Sequence, residues 1–297
     1  MNAGQKPQHR GRVRSLHNGA DAATRLMATS DTAAIDAMIE VVARLLHRSR
    51  SLLLITGAGL SADSGLPTYR GSGGLYSADP GADGEIGGDA LPIEELLSAE
   101  GMRRDPEAIW RHLGRVEEAC RDAKPNRGHA VIAAMEQTFE RVWVLTQNVD
   151  GFHQRAGSNN VISIHGNVHQ LRCTACSHRA TVESYAELDA FPPLCPSCGA
   201  MLRPDVVLFG ETLDPVAVEL YSRELQEPFD LVFSIGTSSL FDTIIEPVLD
   251  AALFERLSVE INPETTQISE LVSLHLPIGA EEALVAIWER YGGGLGE

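Results

Sequence analysis

The segment at residues 51–70, SLLLITGAGLSADSGLPTYR, constrains the fold more than any other part of the chain. Its apolar run from Leu52 to Ile55 is typical of a buried parallel strand. Gly57, Gly59 and Ala62 follow with the spacing G-x-G-x-x-A, which lets backbone N–H groups at a helix start approach a pyrophosphate. The pattern predicts a nucleotide-binding strand and turn, with a plain strand-to-helix turn as the alternative.

The same segment argues against a dehydrogenase. Gly65 and Pro67 should end the helix within about two turns, whereas a hydride-transferring Rossmann enzyme continues into a full helix and a second strand. That second strand ends in an acidic residue about 20 positions after the glycines. Asp79 lies near this distance, but its glycine-rich surroundings do not favour a strand. We therefore expect a nucleotide site without hydride transfer.

Alternating periodicities predict the fold class. From Thr32 onward, apolar residues fall on one helical face: Ile35, Met38, Ile39, Val42, Leu45 and Leu46. The strand-like runs RVWVLT, NVISI, DLVFSI and LSVEI alternate with helical stretches near residues 106–121, 127–138, 244–253 and 279–290. Such alternation predicts an α/β fold with a doubly wound, parallel, Rossmann-like sheet.

Polar or small residues follow four of these strands. They are Gln147, Asn148 and Asp150; His165; Gly236, Thr237 and Ser238; and Asn262, Pro263 and Glu264. Ligands of doubly wound sheets bind beyond the carboxyl ends of the strands, so these groups should share one crevice, where they could bind ribose and move a proton. Taken singly, His165 could equally be a structural histidine and Asp150 a turn residue.

Four of the five cysteines have the spacing C-x2-C-x18-C-x2-C, at Cys173, Cys176, Cys195 and Cys198. Two such pairs offer four thiolates to a tetrahedral zinc ion. A site closed by four thiolates has no open position for a substrate, so we expect the zinc to be structural. Disulfides are the alternative, and an intracellular chain with a fifth cysteine, Cys120, disfavours them. The pattern predicts a small zinc-ribbon module inserted into the nucleotide-binding domain.

Composition narrows the class of protein. With 297 residues, 43% of them hydrophobic, the chain can bury a substantial core. Its apolar runs fall short of the roughly 18 residues of a membrane span, and none follows a charged start as in a secretory signal. The net charge of −17 argues against nucleic acid as a direct partner and suits basic protein segments as substrates, or simply a solvated surface. We expect a cytoplasmic protein without a membrane anchor.

The beginning of the sequence differs from the rest. Its first 20 residues include Lys6, Arg10, Arg12 and Arg14 and no acidic residue, which predicts disorder. A mitochondrial transit peptide, or a natural start at Met27, are alternatives. The predicted organisation is a disordered extension at 1–31, a folded domain at 32–291 and a flexible tail at 292–297. Within the domain, Rossmann-like parts at about 32–168 and 205–291 flank a zinc module at about 169–204.

With these motifs the sequence resembles the sirtuin family, the NAD-dependent protein-lysine deacylases, from about residue 32 to 291. GAGLSADSGLPTYR is similar to the cofactor loop of that family, TQNVDGFHQRAG to its nicotinamide-side motif and IHGNVH to its catalytic-histidine motif. RPDVVLFGE resembles the peptide-binding segment, and SIGTSSL and INPE resemble the ribose and adenine motifs.

The resemblance implies an activity and roles for particular residues. The acyl-lysine carbonyl oxygen would attack the nicotinamide-bearing ribose carbon of NAD under a mobile cofactor loop, giving deacylated lysine, nicotinamide and O-acyl-ADP-ribose. His165 would be the general base, Asp150 would face the nicotinamide amide, and Asn148 would position water or ribose hydroxyls. Further cofactor contacts are implied for Gly57, Ala58, Gly59, Ser61, Pro67, Tyr69, Arg70, Gln147, Gly236, Thr237, Ser238, Asn262, Pro263 and Glu264. Substrate contacts are implied for Val207, Phe209, Gly210 and Glu211.

The resemblance also suggests an acyl preference. Relatives that prefer succinyl or malonyl lysine have a tyrosine and, three residues later, an arginine that bind the acyl carboxylate. Alignment places Leu113 and Val116 at these positions, so we expect neutral acyl groups, acetyl above all, unless Arg111 or Arg115 compensates. ADP-ribosyl transfer to protein, NAD hydrolysis and a non-enzymatic NAD or acyl-lysine sensor are alternative functions. The retained His165 and Asn148 disfavour the sensor.

Overall fold

The computed structural model describes residues 18–68 and 93–295, with side-chain detail from residue 32 onward. Its larger sheet consists of β1 (Ser51–Thr56), β2 (Arg141–Thr146), β3 (Val161–Ser163), β7 (Leu231–Ile235), β8 (Leu257–Ile261) and β9 (Leu274–Leu276). The strand order is β3-β2-β1-β7-β8-β9, and every pairing is parallel. Because the order reverses between β1 and β7, their carboxyl ends open a crevice, and the prediction of a doubly wound sheet is confirmed.

Helices cover both faces of this sheet. The main ones are α1 (Asn18–Leu46), α6 (Arg127–Thr138), α8 (Pro215–Glu224), α9 (Asp242–Leu253) and α10 (Ala280–Tyr291). Leu52 and Leu54 of β1 pack in a core with residues of α1, α6 and α10, whereas Leu53 and Ile55 pack with residues of α8 and α9. Successive strand residues point to opposite faces, so a strand covered on both sides is apolar at every position.

Two local predictions about these elements can be compared with the structure. The apolar face of α1 is buried through Ile39, Val42 and Leu46, as the periodicity predicted. The helix itself begins at Asn18, within the segment for which the sequence predicted disorder. The helix after the glycine turn, α2 (Ala58–Ala62), is five residues long and is followed by Gly65 at a φ of +85°. The early end of this helix is therefore confirmed.

The smaller part of the molecule contains a three-stranded antiparallel sheet of β4 (Gly166–Cys173), β5 (Arg179–Thr181) and β6 (Leu202–Val206), in the order β5-β4-β6. Three helices, α3 (Ile93–Leu96), α4 (Ala99–Arg104) and α5 (Pro106–Asp122), precede it in the chain, and the short α7 (Phe152–Arg155) follows β2. Its core surrounds the fully buried Trp110, whose indole N–H donates to the Leu202 carbonyl over 3.2 Å. The indole ring also lies 5.2 Å from Tyr185 and 5.6 Å from Phe191, centroid to centroid.

Several elements had no signal in the sequence strong enough to predict them. The strand β9 is three residues long, too short for a period of two to emerge, and α8 has one buried residue, Tyr221. Among the described helices, none combines the length and apolar character that crossing a bilayer requires.

Candidate active site

A cavity of about 990 Å³ lies at the carboxyl ends of the parallel strands. Residues after β1, β2, β3, β7 and β8 line it, so the sheet brings together groups that are far apart in sequence. The predicted residues found in its wall are Gly57, Ala58, Gly59, Gln147, Asn148, His165, Val207, Phe209, Gly210, Glu211, Gly236, Thr237, Ser238, Asn262, Pro263 and Glu264.

Three glycines hold the floor of this cavity together by close backbone contact. The N–H of Gly57 donates to the Ile235 carbonyl over 3.0 Å, and that of Gly59 to the Gly236 carbonyl over 2.8 Å. A Cβ atom at Gly59 would lie 2.7 Å from the Gly236 Cα, and Gly236 has a φ of +58°. No other residue type fits between the two loops without displacing backbone. The glycine spacing therefore serves loop packing at the switch point as well as access for a ligand.

A buried polar network lies directly behind the glycine loop. Asn148 donates its side-chain amide to the Gly57 carbonyl over 3.0 Å and to Ser61 Oγ over 3.1 Å. Ser61 Oγ in turn donates to Asp150 over 2.7 Å, and the Phe152 N–H donates to the other carboxylate oxygen over 2.9 Å. Burial raises the pKa of Asp150, while the bonds from Phe152 and Ser61 act in the opposite direction. Asn148 lines the cavity. Ser61 and Asp150 do not line it, and Ser61 holds the Asn148 side chain in place by its hydrogen bond.

His165 follows β3 and is half-buried at one end of the cavity. Its Nδ1 lies 3.2 Å from the Gln147 carbonyl oxygen, and its ring meets that of Phe241 edge-on with 5.6 Å between centroids. A carbonyl oxygen can only accept, so the bond assigns the proton to Nδ1 and leaves Nε2 with a free lone pair. Burial lowers the pKa of His165, which keeps the ring neutral at pH 7. This arrangement suits a general base.

The opposite end of the cavity is formed by the turns after β7 and β8. Gln147 donates its side-chain amide to Thr237 Oγ1 over 2.5 Å, and Asn262 donates its amide to the Thr237 carbonyl over 3.0 Å. Ser238 is exposed to the cavity. Hydroxyl, amide and backbone donors across five neighbouring strand ends match the sugar and phosphate oxygens of an extended dinucleotide. The wall therefore fits NAD.

The segment predicted to bind the substrate peptide lies beside His165. The Val207 N–H donates to the His165 carbonyl over 3.0 Å, and the backbone of Phe209 bonds to Leu97 and Ala99 over 2.8 and 3.0 Å. The carboxylate of Glu211 receives two bonds from Arg203, over 2.6 and 3.1 Å, and one from the Leu208 N–H over 3.0 Å. Glu211 thus anchors this segment to β6.

Other predicted residues are placed differently. Pro67 is exposed, and Tyr69 and Arg70 lie outside the described residues. Of the two positions that bear on the acyl preference, Leu113 is buried and lines the cavity, whereas Val116 is half-buried and packs into the core of the smaller part. Arg111 is exposed, 3.7 Å from Glu107.

Sequence reasoning missed part of the cavity wall. The missed residues, which lie outside every motif quoted from the sequence, include Leu97, Phe241, Asp242, Thr265, Thr266, Gln267, Gly279 and Ala280. For the run after β8, the signal was present, because ETTQ continues the polar stretch that begins at Asn262. The apolar members come from three separate segments, and nothing in their local sequence distinguishes them from core residues.

The four cysteines of the predicted zinc site converge in the smaller part. Their Sγ atoms all lie within 4.8 Å of one another, with 3.5 Å between Cys173 and Cys198 and 3.7 Å between Cys176 and Cys195. Zn–S bonds of about 2.3 Å in a tetrahedron place sulfurs roughly 3.8 Å apart. These separations far exceed the roughly 2.05 Å of a disulfide bond. The four sulfurs therefore fit a closed, structural zinc site.

Comparison with known proteins agrees with this geometry. The sequence model of the Sir2 family matches residues 57–242. The chain is 43% identical over 241 residues to the NAD-dependent protein deacylase 2 of Pseudomonas aeruginosa, covering 80% of this chain and 91% of that protein. It is 35% identical to the NAD-dependent protein deacylase of Aquifex aeolicus, over 82% of this chain and 97% of that one.

Solved structures give the same result. The crystal structure of a Sir2 homologue in complex with NAD is 33% identical, with a TM-score of 0.74 over 85% of this chain and 93% of that chain. A Sir2 complex with a p53 peptide and NAD⁺ is 29% identical, with a TM-score of 0.68 over 84% of this chain and 96% of that chain. Since the motifs, the sheet order, the cavity and the cysteine cluster all agree with these matches, the chain belongs to the Sir2 family, the sirtuins.

Proposed function

We propose that this chain is an NAD-dependent protein-lysine deacylase that acts mainly on acetyl-lysine. The observation that carries the proposal is His165, a neutral base with a free Nε2 at the end of a cavity that fits NAD. The names of the relatives, NAD-dependent protein deacylases, support the same activity. Bound NAD would supply an electrophilic ribose carbon and a leaving group, nicotinamide.

Each part of the cavity then has a task. The bond from Nδ1 to the Gln147 carbonyl orients the His165 ring, so that Nε2 can take a proton from a ribose hydroxyl. Asn148, fixed by Gly57 and Ser61, holds ribose or water beside it. We assign contact with the nicotinamide amide to Asp150, which lies behind the glycine loop and is held there by Ser61. We also assign cofactor contact to Tyr69 and Arg70 of the following segment.

The acyl preference follows from the charge of the cavity wall. Among the described residues that line it there is no lysine and no arginine, and Leu113 contributes an apolar surface near the segment at 207–211. A carboxylate-bearing acyl group would lose its hydration without gaining a charged partner, which costs several kcal/mol. Neutral acyl groups, acetyl or longer aliphatic ones, avoid that loss. We therefore assign acetyl-lysine proteins as the main substrates.

The same proposal covers the organisation of the chain. We propose an extension at 1–31, a catalytic domain at 32–291 with its zinc module at about 169–204, and a tail at 292–297. The small antiparallel sheet, from Gly166 to Val206, supports the bounds of the module. The location we propose is the cytoplasm.

The decisive experiment follows the fate of the acyl group. Purified protein is incubated with NAD and peptides carrying acetyl-, butyryl-, myristoyl- or succinyl-lysine, and the products are identified by mass spectrometry, with omission of NAD as the control. We expect nicotinamide, deacylated peptide and acyl-ADP-ribose in equal amounts. ADP-ribose attached to protein, or free ADP-ribose without deacylation, would replace our proposal by a transferase or an NAD hydrolase.

A further inference from the structure

A buried carboxylate lies beneath the cavity, at the end of β8. Glu260 is fully buried, and its two oxygens accept bonds from two hydroxyls of the loop that follows. Thr266 Oγ1 donates to one oxygen over 2.5 Å, and Ser269 Oγ donates to the other over 2.5 Å. The carboxylate therefore fixes this loop, residues 262–269, at two points.

Each of these hydroxyls also receives a backbone N–H. The Ile268 N–H donates to Thr266 Oγ1 over 3.3 Å, and the Thr266 N–H donates to Ser269 Oγ over 2.8 Å. A hydroxyl has one proton to donate, so the hydroxyls of Thr266 and Ser269 each need one hydrogen-bond acceptor. The Glu260 side chain receives a hydroxyl donor at each of its two oxygens, whereas a glutamine amide has one acceptor oxygen and one NH₂ group that donates. The network therefore requires Glu rather than Gln at this position.

The loop held by Glu260 forms one end of the cavity. Asn262, Thr265, Thr266 and Gln267 line the wall there, and the side-chain amide of Gln267 donates to the Ser239 carbonyl in the turn after β7. From the outer strand β9, His275 Nε2 donates to the Asn262 carbonyl over 2.9 Å. The loop is thus bonded to two strands, β8 and β9, and to the turn after β7.

The strand order decides which half of NAD this end receives. His165 follows β3 and the loop follows β8, with β2, β1 and β7 between them. Four strand spacings separate the two ends by about 19 Å, the reach of an extended dinucleotide rather than of a single nucleoside. Because His165 must lie at the nicotinamide ribose, the loop faces the adenosine half.

We propose that Glu260 is a positioning residue for the adenosine half of NAD, acting through Thr266 and Ser269. The inference rests on the proposed function for the orientation of NAD in the cavity. Glu260 does not line the cavity wall, and its effect is transmitted by the two hydroxyls that it orients.

The test is Glu260→Gln, which keeps the shape of the side chain. Its NH₂ group would face a hydroxyl that already receives a backbone N–H, so that hydroxyl would lose its only acceptor and the loop would shift. We expect the KM for NAD and the Kd for ADP-ribose to rise roughly tenfold, a change of about 1.4 kcal/mol. The kcat, the KM for the acetylated peptide and inhibition by nicotinamide should stay within about twofold.

Two further variants separate positioning from simple destabilisation. Ser269→Ala removes one hydroxyl that does not line the cavity, and it should weaken ADP-ribose binding in the same direction. Combined with Glu260→Gln, it should add less than the sum of the two changes, because both break one relay. Ser258→Ala alters a buried hydroxyl at the other end of β8 and should leave the affinity for ADP-ribose unchanged while lowering the Tm.

The outcomes are distinct. Wild-type affinity for ADP-ribose in both Glu260→Gln and Ser269→Ala would overturn the inference, as would a rise in the peptide KM equal to the rise in the NAD KM. If Glu260→Gln fails to fold, Ser269→Ala alone decides. Absence of deacylation by the unmodified chain would overturn the proposed function instead, since ADP-ribose binding by calorimetry needs no turnover.

Discussion

The crevice and the cysteine cluster are both small polar sites in an apolar surrounding, but they are held together differently. In the crevice, Ser61, Asn148 and Asp150 satisfy one another, and glycine backbones pack directly between the loops. In the cluster, Cys173 and Cys195 are buried in the core of the smaller part, and their sulfurs lie within 4.8 Å of those of Cys176 and Cys198. Four thiolates at such distances repel unless a cation lies between them.

The difference indicates which interactions stabilise each region. The crevice is complete without its ligand because hydrogen bonds and close packing already fix it. In the smaller part the packed core surrounds Trp110, and we expect a zinc ion to order the cysteine-bearing turns. Substitutions in the cysteine cluster should therefore mainly lower the stability, and substitutions in the crevice should mainly lower the rate of the reaction.

Removing one sulfur should have the largest effect. We expect Cys195→Ser to lose the zinc, about one ion per chain, and to unfold the cysteine-bearing turns, since structural zinc contributes about 10–16 kcal/mol in small zinc-binding peptides. Metal analysis and the Tm measure this, and the matched control is Cys120→Ser, which alters the buried fifth cysteine outside the cluster.

Two results would contradict the prediction of a zinc site. Freshly purified protein that contains no zinc, or that keeps its Tm in strong chelator with reactive thiols, would contradict it. Zinc content of Cys120→Ser should equal that of the unmodified chain. Equal loss in both variants would mean that the cluster is not the site.

Removing the base should abolish chemistry and leave stability intact. For His165→Ala we expect the deacylation rate to fall by roughly 10²- to 10⁴-fold, because proton abstraction from the ribose is lost. The Tm, the zinc content and the affinity for ADP-ribose should hardly change. The control is His47→Ala, which alters an exposed histidine between α1 and the start of β1. If His165→Ala deacylated peptides at the rate of this control, His165 would be excluded as the base.

The acyl group should enter where the two regions meet, since Leu113 belongs to the core of the smaller part and also lines the cavity. Because a carboxylate would lie there without a charged partner, we expect acetyl-lysine to be preferred over succinyl-lysine by roughly 100-fold or more in kcat/KM. Steady-state kinetics on paired peptides measures the ratio.

The reciprocal change is the double variant Leu113→Tyr with Val116→Arg, which should raise desuccinylation relative to deacetylation. Leu113→Tyr with Val116→Met adds bulk without charge and should keep the acetyl preference. Because Val116 packs away from the cavity, the arginine must turn toward it to act. Equal removal of succinyl and acetyl groups by the unmodified enzyme would contradict the prediction.

The smallest effect concerns acid stability of the larger region. Burial lowers the pKa of His129 to about 4 and that of His153 to about 3. Unfolded histidines titrate near 6.5, so below that pH the unfolded state binds protons that the folded state does not. Their stabilisation is complete above pH 6.5 and falls toward pH 4, by at most about 1.4 kcal/mol per histidine and pH unit.

Urea unfolding of the zinc-loaded protein between pH 7 and pH 5 measures this slope. In His153→Gln, a group that does not titrate replaces one of the two histidines, and the dependence should become shallower whatever the absolute stability of the variant. A slope equal to that of the unmodified chain would show that His153 does not contribute.

Much of the fold could be predicted because its signals are local. The helix at 127–138 and the strands at 141–146 and 257–261 were placed by periodicity, which depends on neighbouring residues alone. The strand β9 and the helix α8 could not be found in this way, since the first is too short and the second buries little. Their positions depend on the sheet edge and the helix layer that receive them.

The sequence by itself determined the chemistry that this protein can hold. Four cysteines at fixed spacings, a glycine turn after a buried strand and a histidine after another are properties of the chain, because side-chain chemistry and local backbone freedom are set residue by residue. Only the tertiary structure decided which of these groups meet. Asn148 and Ser61 share a bond across 87 positions, and His165 gains its tautomer from the Gln147 carbonyl, because parallel strands align distant carboxyl ends at one edge.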